Sequence, residues 1–389
     1  MSAYNLRGFM DRKDFLAKLT EAFKKTPVVV VYGPPECGKT SLARRYAETQ
    51  GGQGPQNYFD LSSLTDLQRL AAPQVTLSAL TGLITLDEIQ RFQNIFPILR
   101  ALVDGPNQTR RFLILSSASK ARMKQPLETL DGRVTYLELG PFGVNETSNF
   151  EQRWVRGGFP HAYLSDTDET SWQWREEFTR MIVERYLPNI GIRIQPQNLM
   201  RFWTMLAHFH GDLFNASELG RSMGLSHNTI QSYADALSEI FMIRQLKPWH
   251  ENITKRQVKS HKIYFRDTGI FHHFIGVKHY GDLLTNPKLA ASWEGLALEE
   301  IIRHTNATPD ECYFWATQSN AKLDLLIVKN GKRIGYNIQY AGVPKMSRAL
   351  TVALDDLKLD FMTVIYPGEE EIALYGPVRA VSLRKFLLR

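Results

Sequence analysis

The stretch that most limits what this chain can become is Val28-Val29-Val30-Val31-Tyr32-Gly33-Pro34-Pro35-Glu36-Cys37-Gly38-Lys39-Thr40-Ser41. Its first five residues, β-branched and aromatic, predict a buried strand. The residues that follow fit GxxxxGK[ST], the phosphate-binding P-loop, which opens a helix. Gly33 and Gly38 let the backbone turn its N–H groups toward a polyphosphate, with Pro34, Pro35, Glu36, Cys37 and Ser41 completing the cradle. Lys39 is then placed to reach the β- and γ-phosphates, and the Thr40 hydroxyl to hold Mg²⁺. ATP and Mg²⁺ are the expected cofactors.

A second apolar run, Leu83-Ile84-Thr85-Leu86, ends in Asp87 and Glu88. Asp87 is expected to bind Mg²⁺ directly or through a water, and Glu88 to polarise the attacking water. A third buried strand, Arg111 to Leu115, ends in Ser116 and Ser117. These hydroxyls either orient the water beside the γ-phosphate or cap the next helix. Arg133 precedes a further strand, Val134 to Leu139, and reads either as an arginine finger, in cis or from a neighbouring subunit, or as a surface residue at a turn. Strands alternating with helices imply a mostly parallel sheet covered on both faces.

The 389 residues, as a soft prior, suggest roughly two to four domains. With 43% hydrophobic and 22% charged residues, the composition is globular and not disordered. The net charge of +7 and a pI near 9.2 permit a nucleic-acid partner without demanding one. Two cysteines, Cys37 and Cys312, exclude a disulfide framework and a four-thiolate zinc site, and fit a reduced cytoplasmic setting. Met1 to Lys25 lacks the apolar core of a signal peptide, and no stretch is apolar enough to span a bilayer.

Residues 146–205 read as a small helical lid, broken at Gly157-Gly158-Phe159-Pro160. Residues 206–280 carry helix-turn-helix spacing, with a turn at Gly224 and a second helix capped by Ser226. Ser226, His227, Asn228, Thr229, Gln231 and Tyr233 are its candidate DNA contacts. A basic wing with Lys255, Arg256, Lys259 and Lys262 is expected to grip phosphates. The second helix itself has no Lys or Arg near its start, so a winged helix serving protein contacts stays open. Residues 281–389 read as a second α/β unit after a helix, Trp293 to His304.

Taken together, these features resemble prokaryotic AAA-type P-loop ATPases in which a winged helix and a restriction-endonuclease-like domain follow the ATPase domain at 1–145. The P-loop, Leu86-Asp87-Glu88-Ile89-Gln90, Leu130-Asp131-Gly132-Arg133, Gly157-Gly158-Phe159-Pro160, Tyr264-Phe265-Arg266-Asp267-Thr268-Gly269 and Trp293-Glu294-Gly295 carry the resemblance. The chain has Pro35 where members usually have Arg, and Ser116-Ser117 where they have Gly-Ser. The resemblance implies a nuclease pattern of helix Glu, strand Asp and Glu-x-Lys. Glu294 and Asp324 match its first two positions, but Lys322 stands where members carry Glu, and Glu-x-Lys is replaced by Asn337-Ile338-Gln339. The expectation is an inactive nuclease-like domain, with Lys345 as one stand-in for the missing Lys. The overall expectation is an ATP-hydrolysing protein that couples nucleotide state to DNA and, where Arg133 acts in trans, a homo-oligomer. The alternative is a nucleotide switch acting on a protein partner.

Overall fold

A computed structural model describes residues 12–51, 54–105, 109–119, 123, 128–251, 257–317 and 321–389. Two units divide the chain. One is built from residues up to Phe142 with Asn189–Ile192 and Glu239–Phe241. The other is built from Gly143–Pro188, Arg193–Ser238 and Met242–Arg389.

In the first unit, β1 (Val28–Tyr32), β2 (Tyr58–Asp60), β3 (Gly82–Asp87), β4 (Arg110–Ser116) and β5 (Val134–Glu138) form one sheet. Its order is β2-β3-β4-β1-β5, and every neighbouring pair is parallel. Parallel strands buried on both faces read as continuous apolar runs, and Val28, Val29, Val30 and Val31 are all fully buried. Helices α1 (Lys13–Lys25), α2 (Lys39–Thr49) and α3 (Phe96–Asp104) are among those covering the sheet. Two 3₁₀ turns at Ile89–Arg91 and Gln93–Ile95 carry the chain away from β3 before α3 starts at Phe96.

The second unit has an eight-stranded mixed sheet, formed by β6 (Ile243–Pro248), β7 (Lys262–Phe265), β8 (Cys312–Ala316), β9 (Lys322–Lys329), β10 (Lys332–Ile338), β11 (Phe361–Tyr366), β12 (Glu371–Tyr375) and β13 (Val378–Ser382). Its order is β12-β13-β11-β10-β9-β8-β6-β7. Side chains alternate between two cores: on β11, Met362, Val364 and Tyr366 enter one and Ile365 the other. Helix α10 (Leu289–Thr305) belongs to the Ile365 core, and Arg348–Leu357 to the opposite one.

Upstream of β6 lie α4 (Phe150–Arg156), α5 (Asp168–Met181), α6 (Pro196–Ala207), α7 (Ala216–Met223) and α8 (His227–Glu239), and between β7 and β8 lies α9 (Thr268–Phe274). The segments expected at 146–205, 206–280 and 281–389 all fall largely within this unit. One reason is that β6 pairs antiparallel with β7 on one side and parallel with β8 on the other, so the sheet runs through the expected 280/281 boundary.

Three of the short motifs form a joint. Gly157 has φ +82, and a side chain there would collide with Asp267, whose Oδ2 accepts from the Gly158 N–H at 2.7 Å. Asp267 Oδ1 also caps α9 by accepting from Ile270 N–H at 3.1 Å. Gly295 is small because the buried His210 ring lies against it.

Buried charges pin α10 in place. Glu299 accepts from Arg244 Nε at 2.5 Å and from Arg266 Nε at 3.2 Å, and Arg153 Nη2 lies 3.2 Å from Glu300. Burial alone would raise the Glu299 carboxyl, but Arg244 and Arg266 outweigh it and bring it down to about 2. Its folded value lies below its unfolded one, so its stabilisation is present above about pH 4.3 and fades as pH falls toward 2. Glu299→Gln should cost about 3–5 kcal/mol at neutral pH, because two largely enclosed guanidinium groups lose the carboxylate they share. Urea unfolding at pH 7 and pH 3 checks this, with a smaller difference from wild type at the lower pH.

Candidate functional site

The parallel first sheet sets the ends of β1, β3 and β4 side by side at one edge, the position where ligands bind in such sheets. Because β4 lies between β1 and β3, the loop after β1 faces the acids after β3 across the Ser116-Ser117 corner. Gly33 N–H donates to Ser116 O at 3.2 Å, tying the P-loop to that corner.

Gly38 takes φ +95 as the N-cap of α2, a conformation that glycine adopts without strain. No side chain caps this helix start, so its first-turn N–H groups have no side-chain acceptor. Lys39 is 5% exposed, and its Nζ donates to Gly33 O at 3.1 Å and Pro34 O at 2.7 Å. The ammonium is thereby folded back onto its own loop. Cys37 is buried with its Sγ 3.3 Å from Leu139 O.

Asp87 collects three donors. Thr40 Oγ1 donates to Oδ2 at 2.6 Å, Tyr58 OH to the same oxygen at 2.7 Å, and Glu88 N–H to Oδ1 at 2.8 Å. A hydroxyl that gives its proton to Asp87 keeps its lone pairs for a cation, so Thr40 and Asp87 form a hard-oxygen pair suited to Mg²⁺. Burial first, and then Asp87, push the Tyr58 phenol upward, which keeps it a donor.

Glu88 leaves β3 in the left-handed region at φ +54, a costly conformation for a residue with a side chain. Its carboxylate is held at both oxygens. Ser117 Oγ donates to Oε1 at 2.9 Å and Gln90 Nε2 to Oε2 at 2.6 Å. Gln90 Oε1 in turn accepts from Ser116 Oγ at 3.1 Å. Burial raises the Glu88 carboxyl, Lys39 pulls it down, Asp87 pushes it up and the Ser117 bond lowers it. A group tuned this way suits proton abstraction. The Ser117 hydroxyl thus bonds the acid itself, an arrangement that neither reading of it specified.

Sequence reasoning missed Tyr58, the bonding role of Gln90, and Arg12. Arg12 Nη1 donates to Gly140 O at 3.0 Å and lies 3.4 Å from Cys37 O, bracing the loop. No spacing signal marks Tyr58 or Arg12, whereas Gln90 stands two residues beyond a recognised acid.

Arg133 falls elsewhere. It precedes Val134, which pairs with Val28, so it sits at the end of β1 opposite the P-loop, roughly 16 Å of strand away. There it bonds Asp104 Oδ1 at 2.5 Å and Asp131 O at 2.9 Å. Arg133 therefore lies away from its own P-loop.

The expected DNA contacts divide three ways. Ser226, His227 and Asn228 are exposed at the start of α8, Thr229 is half-buried, and Lys259 is exposed. Gln231 is tied to Asp235 at 2.9 Å and Gln245 at 3.1 Å. Tyr233 is buried, packing edge-on against Phe202, and cannot reach a groove. Lys262 is no wing residue either. It is buried on β7, with Nζ 3.1 Å from Glu294 Oε1. Lys255 and Arg256 lie outside the described residues. The flanks of the expected wing are fastened to β8, with Trp249 N–H donating to Phe314 O at 2.7 Å and Val258 N–H to Ala316 O at 3.1 Å.

Glu294, Asp324 and Asn337 do come together, while Lys345 is exposed. Burial and then Asp324 push Glu294 upward. Burial works against the Lys262 charge, but Glu294 and Asp324 outweigh it and raise its pKa.

Ser117→Ala should move the Glu88 carboxyl further upward, since a bond favouring the charged form is lost. Carboxyl-carbon NMR titration reads this directly.

A family model described as an AAA domain matches residues 25–148, and two described as domains of unknown function, DUF8612 and DUF4143, match 147–280 and 289–386. The uncharacterized proteins Mb2031c of Mycobacterium bovis and Rv2008c of Mycobacterium tuberculosis are each 41% identical over 380 residues, covering 97% of this chain and 85% of theirs. Among solved structures, the Walker-type ATPase PABY2304 of Pyrococcus abyssi matches with a TM-score of 0.47 and 13% identity, over 70% of this chain and 99% of that one. The Thermotoga maritima RuvB Holliday junction branch migration motor matches with a TM-score of 0.31 and 18% identity, over 62% and 91%. This chain belongs to the family of the two mycobacterial proteins, and it carries an AAA-type P-loop ATPase domain followed by a C-terminal DUF4143 domain.

Proposed function

We propose that this protein is a Mg²⁺-dependent AAA-type ATPase that couples its nucleotide state to a macromolecular partner. The observation that carries the reading is the meeting of Lys39, Thr40, Asp87 and Glu88 at one sheet edge, with Thr40 Oγ1 2.6 Å from Asp87 Oδ2. Lys39 and the first-turn N–H groups of α2 bind the phosphates. Thr40 and Asp87 hold Mg²⁺, which when bound neutralises phosphate charge. Glu88, steadied by Ser117 and Gln90, orients a water and takes its proton. Arg133, remote from its own P-loop, acts on a neighbouring subunit's phosphates, and the working form is then an oligomer.

DNA is the first partner considered. In that reading 146–205 is a helical lid, 206–280 a winged helix and 281–389 a degenerate nuclease-like domain. The run of α7, turn, α8 and the β6–β7 hairpin supports the winged helix. Asn337 and the uncharged Gln339 in place of an acid and a lysine support an inactive nuclease. A protein partner is the second reading. It is favoured by the exposed start of α8, which offers Ser226, His227 and Asn228 but no lysine or arginine, and by the burial of Lys262 and Tyr233.

Glu88→Gln should keep ATP binding and lose about 10²–10⁴-fold in turnover, and Lys39→Ala should lose binding. Turnover should rise from acid pH through a limb above the ordinary glutamate range, because Glu88 must be ionised and burial raises it. Arg133→Ala should cost roughly 10³–10⁵-fold, and wild-type specific activity should climb with protein concentration. Unchanged ATP uptake in Lys39→Ala overturns the proposal. Duplex-DNA anisotropy across a salt series separates the partners: steep salt dependence supports DNA, and no binding at low salt supports the protein reading.

A further inference from the structure

We propose that Lys262 is a built-in substitute for a metal ion: its ammonium occupies a divalent-cation site formed by Glu294 and Asp324, and so closes that site to metals. The inference stands on this carboxylate pair and not on the nuclease likeness, so an absence of DNA cleavage does not decide it.

Three elements converge there: β7 brings Lys262 and Tyr264, α10 brings Glu294, and β9 brings Asp324. Lys262 Nζ lies 3.1 Å from Glu294 Oε1 and 3.9 Å from Asp324 Oδ1. Tyr264 OH donates to the same Glu294 oxygen at 2.5 Å and lies 3.3 Å from Lys262 Nζ. Asp324 is 1% exposed, and its two oxygens differ. Oδ2 accepts from Asn337 Nδ2 at 2.9 Å and Ile338 N–H at 2.8 Å. Oδ1 is buried and receives no hydrogen bond.

A buried carboxylate oxygen without a donor is costly, and chains avoid it unless a charge compensates. Among the described residues, the cations within 4 Å of Asp324 Oδ1 are Lys262 and Lys322, each 3.9 Å away, beyond hydrogen-bond length. Lys322 is largely exposed, so the buried compensation comes from Lys262. One ammonium bonds one carboxylate well and leaves the other short of a bond. Two carboxylates with an adjacent phenol oxygen are a hard-oxygen set, the donor chemistry of Mg²⁺, Mn²⁺ or Ca²⁺. A lysine fixed in the backbone, unlike an ion, cannot be chelated or exchanged. It also ties β7 to α10 and β9, so the fold at this point does not depend on metal supply.

The test uses nucleotide-free full-length protein, thermal unfolding, and Mn²⁺ as the probe, with bound Mn²⁺ counted by electron paramagnetic resonance. Wild type should show no rise in Tm with Mn²⁺. Lys262→Met should unfold on the order of 10 °C lower without metal, then recover with Mn²⁺ while binding one ion more per chain than wild type. Adding Glu294→Gln to Lys262→Met should restore much of the stability without metal and abolish the Mn²⁺ response. Should Lys262→Met alone fail to fold, a folded, Mn²⁺-insensitive double variant supports the proposal, and a double variant that also fails to fold overturns it. A Tm rise in wild type equal to that of the variant, or a folded Lys262→Met indifferent to Mn²⁺, also overturns it.

Discussion

Where one strand is inserted decides what the first unit can do. Lys39 follows β1, and Asp87 and Glu88 follow β3, but these strands are not neighbours: β4 runs between them. That spacing opens room between the P-loop and the acids and fills its floor with Ser116 and Ser117. Were β1 and β3 adjacent, about 4.8 Å apart, Glu88 would crowd the loop and have no serine partner. The Thr40 bond to Asp87 and the Ser117 bond to the Glu88 carboxylate depend on this order.

The P-loop and the acidic strand were legible because their chemistry is local: a glycine-bounded loop after an apolar strand, and two acids at a strand end. The parallel sheet was legible from alternating strands and helices. Less legible was anything that depends on which residues meet across the chain. Tyr58 looks like an ordinary strand aromatic until β2 pairs beside β3 and sets its hydroxyl on Asp87. Lys262 looked like one cation in a basic loop, because hydropathy cannot tell a solvated lysine from one paired inside. Tyr233 was misplaced by a turn of helix: α8 buries Ile230, Tyr233, Ala234 and Leu237 on one face, so its exposed surface lies elsewhere. Arg133 was seen beside a strand, but its place at the far end of that strand needed the register of β5 against β1.

The second unit uses charge in an unusual position for a core. Glu299 and Glu300, adjacent on α10, are both buried and both answered by arginines from other segments, Arg244 and Arg266 for one and Arg153 for the other. Apolar packing tolerates small slippage of a helix, whereas a desolvated carboxylate tolerates little. These pairs therefore fix the register of α10, and with it the placement of Glu294, which lies upstream of Glu299 on the same helix. The Gly157–Asp267 and Gly295–His210 contacts add steric limits of the same kind. Short motifs that resemble recognition sequences thus serve, in the described residues, as fittings between helices.

The double pairing of β6 has a consequence for how this chain can be divided. A fragment ending near residue 280 would keep β6 and β7 but strip β8 away, leaving backbone groups such as Trp249 N–H without the acceptor they have in the whole chain. Such a bare margin is a template for another chain, and the fragment would tend to stick to copies of itself. Modular as its family matches look, the part from Gly143 onward is one piece of cloth, and a cut between residues 280 and 289 frays it.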